Sequence, residues 1–261
     1  MDTLYYWRKS KRRANFGDYI GSYLFQKITS RPSKDRREDE PHWVTVGSLL
    51  GNQHVNELSH VWGSGILTTG ACFPRPAIIH AVRGPYSAQR CQAQGYPVPK
   101  VQGDPALLLP RFYKPKGLRQ DVIGIIFHHR HKIPSGPVPP GLRYISLVHP
   151  DGDDILFEAV LESIATCRAV ASSSLHGLIV AHAYGIPALW CAFPETYHCD
   201  NIKFLDYYHA LGVTAVQDPR LVTSPDSNKT LWQTWIQEYP QPTVKAITDC
   251  ARQLWVSCPF R

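Results

Sequence analysis

The sequence lacks any long apolar run, since no window approaches the roughly 20 apolar residues that a membrane-spanning helix requires. A basic run, RKSKRR (8–13), is followed by ANFGDYIGSYLF instead of an apolar block that ends in small residues. We therefore expect no signal peptide. A cytoplasmic protein is predicted, with a possible peripheral contact at the inner membrane face.

The sequence also lacks paired cysteines. Its seven cysteines are scattered, odd in number and without a Cys-x-x-Cys pair. This pattern is typical of free thiols in a reducing compartment and argues against a zinc ribbon or a disulfide scaffold. The histidines at 128, 129 and 131 have no carboxylate or thiol near them in sequence, so no metal site is predicted. No internal repeat and no low-complexity tract is present.

The chain has 261 residues, of which 43% are hydrophobic. This is enough to build a full hydrophobic core. The formal net charge of +7 suits an anionic substrate, a membrane surface or nucleic acid. Outside 8–13 the basic residues are dispersed, and no RNA- or DNA-binding motif appears. Nucleic acid is therefore not an expected partner.

Short β-rich runs alternate with helical patterns along the chain. Strands are predicted at 4–7, 43–50, 60–67, 77–82, 122–129, 143–148, 169–174 and 187–191, and helices at 18–29, from Pro85 to Gly95, at 154–167 and at 175–184. The alternation predicts an α/β fold with parallel sheets. Because residues 111–121 have the composition of a connector, we expect two Rossmann-like lobes facing a cleft, 1–115 and 116–261.

The stretch AVASSSLHGL (169–178) sets three serines and His176 between a strand and a helix. Ligands of open α/β sheets bind beyond the carboxyl ends of the strands, where helix N-termini attract anions. Ser173 and Ser174 either cap the helix or donate hydroxyls to the anion. His176 either packs in the core or acts on the ligand.

Three other groups occupy equivalent positions at strand ends. Asn15, Gly17 and Asp18 lie where the first strand leads into the first helix, and Arg83 follows the strand at 77–82. His128 follows the apolar strand of the second half. Because the carboxyl ends of parallel strands share one edge of a sheet, these groups are expected to gather around an anion.

Taken in order, the motifs of this chain resemble those of the polysaccharide pyruvyltransferases, which move pyruvate from phosphoenolpyruvate onto sugar hydroxyls. The resemblance rests on NFGD (15–18), VWGSGI (61–66), AVRGPYS (81–87), GYPVPKVQGDPALLLP (95–110), SSSLHGLIVAHAYGIPAL (172–189) and IKFLDYYHALG (202–212). The closest likeness is to the ketal pyruvyltransferases of bacterial exopolysaccharides of the xanthan and succinoglycan type.

The resemblance implies a glycosyltransferase-B-like fold, with the sugar acceptor on lobe 1–115 and phosphoenolpyruvate on lobe 116–261. It implies no cofactor, with phosphoenolpyruvate as co-substrate and a lipid-linked oligosaccharide as the acceptor. His176 is the candidate general acid, and Asp18 either is the general base or orients the sugar. The candidate substrate-binding residues are Asn15, Gly17, Ser64, Gly65, Arg83, Asp104, His128, Ser173, Ser174 and Lys203.

The sequence departs from the family pattern at Ser174, because several branches carry arginine immediately before Leu-His. The contacts with phosphoenolpyruvate are then expected to be redistributed to Arg83, His128 and Lys203. An alternative is a nucleotide-sugar glycosyltransferase of the same fold, since architecture alone does not determine chemistry. No acidic residue near the SSSLHG motif is placed to hold a ribose or a metal, which favours the pyruvyltransferase.

The basic run is interpreted first as a solvated loop, and the alternative is a contact with anionic lipid headgroups, which can be tested. Neutralising Arg8, Lys9, Lys11, Arg12 and Arg13 should weaken sedimentation with phosphatidylserine vesicles and leave activity on a short water-soluble acceptor intact. Equal vesicle binding by the variant and the wild type would refute this role.

Overall fold

The computed structural model describes residues 3–6, 8–10, 13–35, 39–51, 54–193, 200–223 and 228–261. In chain order the strands are β1 Thr3–Tyr5, β2 Arg8–Ser10, β3 Arg13–Asn15, β4 Lys34–Asp35, β5 His42–Val44, β6 Ser59–Trp62, β7 Ile78–Val82, β8 Val101–Gln102, β9 Gln120–Phe127, β10 Leu142–Ser146, β11 Val148–Pro150, β12 Cys167–Ser172, β13 Ala188–Ala192 and β14 Arg220–Leu221. The helices are α1 Phe16–Thr29, α2 Pro85–Ala93, α3 Leu109–Phe112, α4 Asp154–Ala165, α5 Leu175–Ala183, α6 Ile202–Ala210, α7 Lys229–Glu238 and α8 Val244–Val256, with a 3-10 turn at Pro105–Leu108.

Two parallel sheets form the framework of the molecule. The first has the strand order β4-β1-β5-β6-β7-β8 and the second the order β10-β9-β12-β13-β14. The central strands β9 and β12 are apolar runs that are buried along most of their length, as expected for parallel strands covered on both faces. The predicted α/β class with two Rossmann-like sheets is confirmed.

Several strands end earlier than the sequence patterns predict, and glycine accounts for two of these ends. β5 stops at Val44 and β6 at Trp62, short of the predicted ends at 50 and 67. Gly47 has φ +121° and Gly63 has φ +82°, a region that other residues rarely adopt. Residues 46–50 are therefore a loop at the carboxyl end of the sheet.

A small antiparallel sheet, in the order β11-β3-β2, joins the two halves of the chain. β11 comes from the second half and pairs with β3, with Val148 opposite Asn15. The sequence patterns predicted no strands at 8–15 and one unbroken strand at 143–148, and both predictions are wrong. Residues 11 and 12 of the basic run lie outside the described residues.

Helices α1 and α4 form a second contact between the halves. The hydroxyl of Tyr19 donates to Asp154 at 2.9 Å, and that of Tyr23 donates to Glu158 at 2.8 Å. Burial and these carboxylates raise the pKa of both tyrosines, which therefore remain neutral donors. The ring of Phe157 packs between them, so this helix pair combines apolar contact with satisfied polar groups.

Helices α7 and α8 were not predicted. α8 crosses back to the first sheet, where the Cys250 thiol donates to the carbonyl of Gln102 at 3.4 Å. Gly103 permits this contact, because a Cβ there would overlap the Cys250 sulfur. After α8, the ring of Phe260 packs against Trp62. The lobe boundary near residue 115 stays a prediction.

A carboxylate of the second half is buried in the first half. Asp206, on α6, accepts hydrogen bonds from the backbone N–H groups of Tyr86 and Ser87 in the first turn of α2. It also accepts from the Ser87 hydroxyl and forms an ion pair with Arg83, at 3.2 Å from Nε. The side chains of the ion pair are completely buried. At Gly84, any side chain would collide with the Asp206 backbone. Helix α6 is thereby locked onto the start of α2.

Replacing Asp206 tests how much this ion pair contributes to the free energy of unfolding. Asp206→Ala leaves the guanidinium of Arg83 buried without its carboxylate, which typically lowers the free energy of unfolding by about 3–5 kcal/mol. Chemical denaturation measures the loss. Asp249→Ala is the matched control, because its ion pairs lie on the surface of α8 and such pairs contribute little. Equal destabilisation by the two changes would contradict the assignment.

Candidate active site

A cavity of about 280 Å³ lies between the two halves of the molecule. Loops at the carboxyl ends of β3, β5, β6, β9 and β12, together with the starts of α1, α5 and α6, form its walls. Its lining comprises Asn15, Asp18, Ser48, Leu49, His54, Leu67, His128, His129, Arg130, Ser174, Leu175, His176 and Lys203. Six predicted site residues therefore meet in one cavity at the predicted edge: Asn15, Asp18, His128, Ser174, His176 and Lys203.

The imidazole of His176 lies against the first turn of α1. A Cβ at position 17 would overlap its Nδ1 atom, so only glycine lets the helix approach this closely. The opposite ring nitrogen, Nε2, lies 3.6 Å from Oδ2 of Asp104. His176 is only 8% exposed, and its ring is thus held between the two halves at the cavity wall.

Asp104 is behind the cavity wall. Its Oδ1 accepts a hydrogen bond from the backbone N–H of Ala106 at 2.9 Å and so caps the 3-10 turn. Its Oδ2 is buried and, among the described residues, makes no hydrogen bond, as is also true of His176 Nε2. Asp104 was predicted as a substrate contact, but its position suits support of the imidazole.

Asp18 is a buried carboxylate in the first turn of α1. Its Oδ2 accepts a hydrogen bond from the side chain of Asn15 at 2.6 Å, and Gly47 lies beside Oδ1. Burial raises the pKa of Asp18 to about 6, although His176, Asn15 and Lys203 each act to lower it. The carboxylate is therefore ionised at neutral pH and more basic than an ordinary aspartate.

The second half supplies donors and positive charge. Ser172, rather than Ser174, accepts the backbone N–H at the start of α5, at 3.0 Å. Within the described part of the chain the Ser174 hydroxyl makes no capping bond, so it is available to the cavity. Lys203 lies in the first turn of α6. Burial, and secondarily Lys203, lower the pKa of His128 to about 2, so this imidazole is neutral.

Ser173 positions the loop after β9. Its hydroxyl oxygen accepts the backbone N–H of His128 at 3.0 Å and lies 3.0 Å from Nδ1 of His131. It lines a small adjoining cavity of about 40 Å³, which shares His128 and Lys203 with the main one. Ser173 is thus adjacent to the site and orients its wall.

The remaining predicted residues form a layer behind the cavity. Arg83 is fully buried and donates to the hydroxyl of Ser48 at 2.8 Å and to the carbonyl of Ile66 at 2.6 Å. Gly65 must be glycine here, because a Cβ would overlap the guanidinium. The Ser64 hydroxyl donates to the carbonyl of Gly47 at 3.0 Å. The structure does not bring Ser64, Gly65 or Arg83 into the cavity.

The sequence patterns missed the lining residues from the first sheet, Ser48, Leu49, His54 and Leu67. The stretch VGSLL (46–50) was assigned to a strand, although its glycine and serine follow a buried strand as the other site residues do. The position of Gly47 and Ser48 directly after a buried strand was the signal that could have placed this loop at the site.

Within the described ranges, no cluster of three or more His, Cys, Asp or Glu side chains is arranged to hold a metal ion. None of the helices described is both long enough and apolar enough to cross a membrane.

Comparison with known proteins identifies a family model. Residues 72–193 match the model described as polysaccharide pyruvyl transferase. An uncharacterized protein of Acanthamoeba polyphaga mimivirus is 27% identical over 230 residues, covering 83% of this chain and 78% of that protein. The succinoglycan biosynthesis protein ExoV of Rhizobium meliloti is 27% identical over 221 residues, covering 80% of this chain and 65% of ExoV.

Among solved structures, an uncharacterized protein of Klebsiella pneumoniae aligns with a TM-score of 0.47 at 12% identity, covering 85% of this chain and 94% of that one. A TM-score below 0.5 does not establish a shared fold. The family model and ExoV confirm the resemblance found in the sequence motifs.

The raised pKa of Asp18 predicts a gain in stability when its charge is removed. Asp18→Asn retains an oxygen that can accept from Asn15 but has no charge to desolvate. Since the folded pKa, about 6, lies above the unfolded 3.8, the wild type loses stability as pH rises between them. The variant should therefore be more stable by on the order of 2–3 kcal/mol above pH 6, and the gain should vanish toward pH 4.

Denaturant titrations at several pH values measure this difference. Asp249→Asn is the control, because neighbouring Lys245 and Arg252 lower the pKa of Asp249 and its charge is already favourable. If Asp18→Asn is no more stable than the wild type at pH 7.5, the conclusion that Asp18 is buried as a carboxylate is wrong.

Proposed function

We propose that this protein belongs to the polysaccharide pyruvyl transferase family and transfers pyruvate from phosphoenolpyruvate to two hydroxyls of one sugar, closing a cyclic ketal and releasing phosphate. One observation carries the proposal: a single cavity is lined by the N-terminus of α5, a lysine, a histidine and a basic carboxylate. As part of it, we propose that the two lobes are arranged as in the glycosyltransferase-B fold.

Phosphoenolpyruvate presents a carboxylate and a phosphate on three carbons, so its site requires several cations and donors. Lys203, the Ser174 hydroxyl and the backbone N–H groups of the first turn of α5 supply them on one wall of the cavity. The neutral His128 imidazole offers a further polar contact. The arginine that several family branches place before Leu-His is thus replaced by a hydroxyl and a lysine from α6.

The chemistry requires an acid and a base on opposite sides of the reacting carbon. A protonated His176 delivers a proton to the methylene carbon, which becomes the methyl group. The first sugar hydroxyl then attacks the adjacent carbon while Asp18 takes its proton. Phosphate leaves with the C–O bond electrons, and the second hydroxyl closes the ring. Of the two hydroxyl protons, one restores His176 and the other departs with phosphate.

The environment of Asp18 supports the base over the orienting role. A helix N-terminus stabilises a carboxylate and so weakens it as a base. Here desolvation outweighs that effect, because the pKa of Asp18 is raised to about 6. A base with a pKa close to the working pH transfers protons efficiently.

The acceptor is proposed to be a sugar of a polysaccharide precursor carried on a lipid. The similarity to ExoV, a succinoglycan biosynthesis protein, supports a polysaccharide acceptor. This chain spans 65% of the length of ExoV. A lipid-linked acceptor would also give the basic run at 8–13 a role at the membrane.

The decisive variant is His176→Gln. It keeps a side chain that can hydrogen-bond but cannot deliver a proton, so turnover should fall about a hundredfold to ten-thousandfold. Affinity for phosphoenolpyruvate, measured by calorimetry, should survive. His209→Gln is the matched control, since His209 contacts Tyr86 outside the cavity and should retain full turnover.

Two results separate the possible roles of His176, and a third distinguishes the two candidate reactions. Retained turnover in a folded His176→Gln variant would refute the mechanism. Loss of affinity alone would make His176 an anion contact. In the wild type, thermal stabilisation by UDP-glucose but not by phosphoenolpyruvate would favour the glycosyltransferase alternative.

A further inference from the structure

The hydroxyl of Ser48 is oriented by a buried guanidinium. Arg83 can only donate hydrogen bonds, so the Ser48 oxygen is the acceptor of their 2.8 Å contact. Among the described residues Ser48 makes no other hydrogen bond, and it lines the cavity. Its own hydrogen therefore remains available to a ligand.

The position of this donor is rigid. Arg83 is held by Asp206 at 3.2 Å and by the carbonyl of Ile66 at 2.6 Å, and all of these contacts are buried. The Ser48 side chain is therefore fixed by a chain of contacts that begins on α6, in the other half of the molecule. Preorganisation of this kind makes a polar group selective, because no reorganisation is needed when a ligand binds.

Ser48 follows Gly47, and Gly47 lies beside Asp18. The backbone of Gly47 approaches the carboxylate so closely that a Cβ there would lie 2.5 Å from Asp18 Oδ1. Gly47 also has φ +121°, which allows the loop to turn at this point. A donor and a basic carboxylate therefore meet on one wall of the cavity.

The charges around Ser48 indicate what binds there. Of the charged side chains that line the cavity, Arg130 and Lys203 come from the second half, whereas Asp18, beside Gly47, comes from the first half. Arg83, which contacts Ser48, is already paired with Asp206. An anion placed against Asp18 would be repelled, and the repulsion is strong where water is excluded. A neutral hydroxyl fits, because it can both donate to a carboxylate and accept from serine.

We propose that Ser48 and Asp18 together read two neighbouring hydroxyls of the sugar acceptor. Asp18 accepts from the hydroxyl that attacks, and Ser48 donates to the hydroxyl beside it. Leu49 and Leu67, which line the cavity from the same half of the chain, provide apolar surface for the C–H face of the ring. Ser48 is thus a specificity-determining residue, and the inference rests on the function proposed above.

The test separates the two substrates. p-Nitrophenyl glucoside, galactoside and mannoside serve as acceptors, and phosphate release from phosphoenolpyruvate is followed. With the best of these glycosides, Ser48→Ala should raise KM for the acceptor about three- to tenfold, the effect of one hydrogen bond, and leave KM for phosphoenolpyruvate unchanged. Ser48→Thr, which keeps the hydroxyl, should restore the acceptor KM. Ser163→Ala, on the half-buried face of α4, is the control.

Deoxy analogues of the same glycoside identify the hydroxyl that is read. For the analogue that lacks it, wild type and Ser48→Ala should have equal KM values. An unchanged acceptor KM in folded Ser48→Ala, with wild-type phosphate release intact, overturns this inference alone. A rise in the phosphoenolpyruvate KM instead assigns Ser48 to the other substrate and also overturns it. No phosphate release by the wild type with any glycoside counts against the proposed function itself.

Discussion

The carboxylate of Asp206 holds the ligand edge of the first sheet in place. It satisfies the first-turn N–H groups of α2, neutralises Arg83 and, through Arg83, orients the loop that carries Ser48. The starts of α2 and α5 occupy equivalent places at the carboxyl ends of their sheets. At α2 the protein fills the anion position with its own side chain. At α5 the position opens onto the cavity.

The buried polar groups of the site lower the stability of the fold but suit the proposed reaction. Asp18 is buried as a carboxylate, and Asp104 Oδ2 and His176 Nε2 are buried without hydrogen bonds among the described residues. Each of these costs folding free energy. Proteins retain such groups where a function depends on them. The apolar and tyrosine contacts between α1 and α4 offset this cost close by.

The parts of this architecture with a local signal were predictable. The alternation of β-rich and helical patterns indicated two parallel sheets, and the position of polar residues after apolar strands located the cavity. Gly17 could be singled out beside Asp18, although the sequence could not show that His176 requires it. Local patterns sufficed wherever the residues that interact follow one another along the chain.

The rest depended on contacts between distant residues. Arg83 was expected to meet the substrate, because its sequence neighbours do not reveal that Asp206 arrives from 123 residues away. Ser48 was read as part of a strand, since a glycine with positive φ cannot be distinguished by pattern from one within a sheet. α8 is amphipathic, yet the surface that it covers lies on a sheet formed early in the chain.

The return of α8 to the first sheet has a consequence for the order of folding. The aromatic face around Trp43 and Trp62 is covered by Phe260, and the carboxyl end of β8 is covered by Cys250. During synthesis the first lobe emerges from the ribosome long before these residues do. Until then, the apolar face of its sheet is exposed to water. A nascent chain of this protein therefore exposes this face until α8 and Phe260 can pack against it.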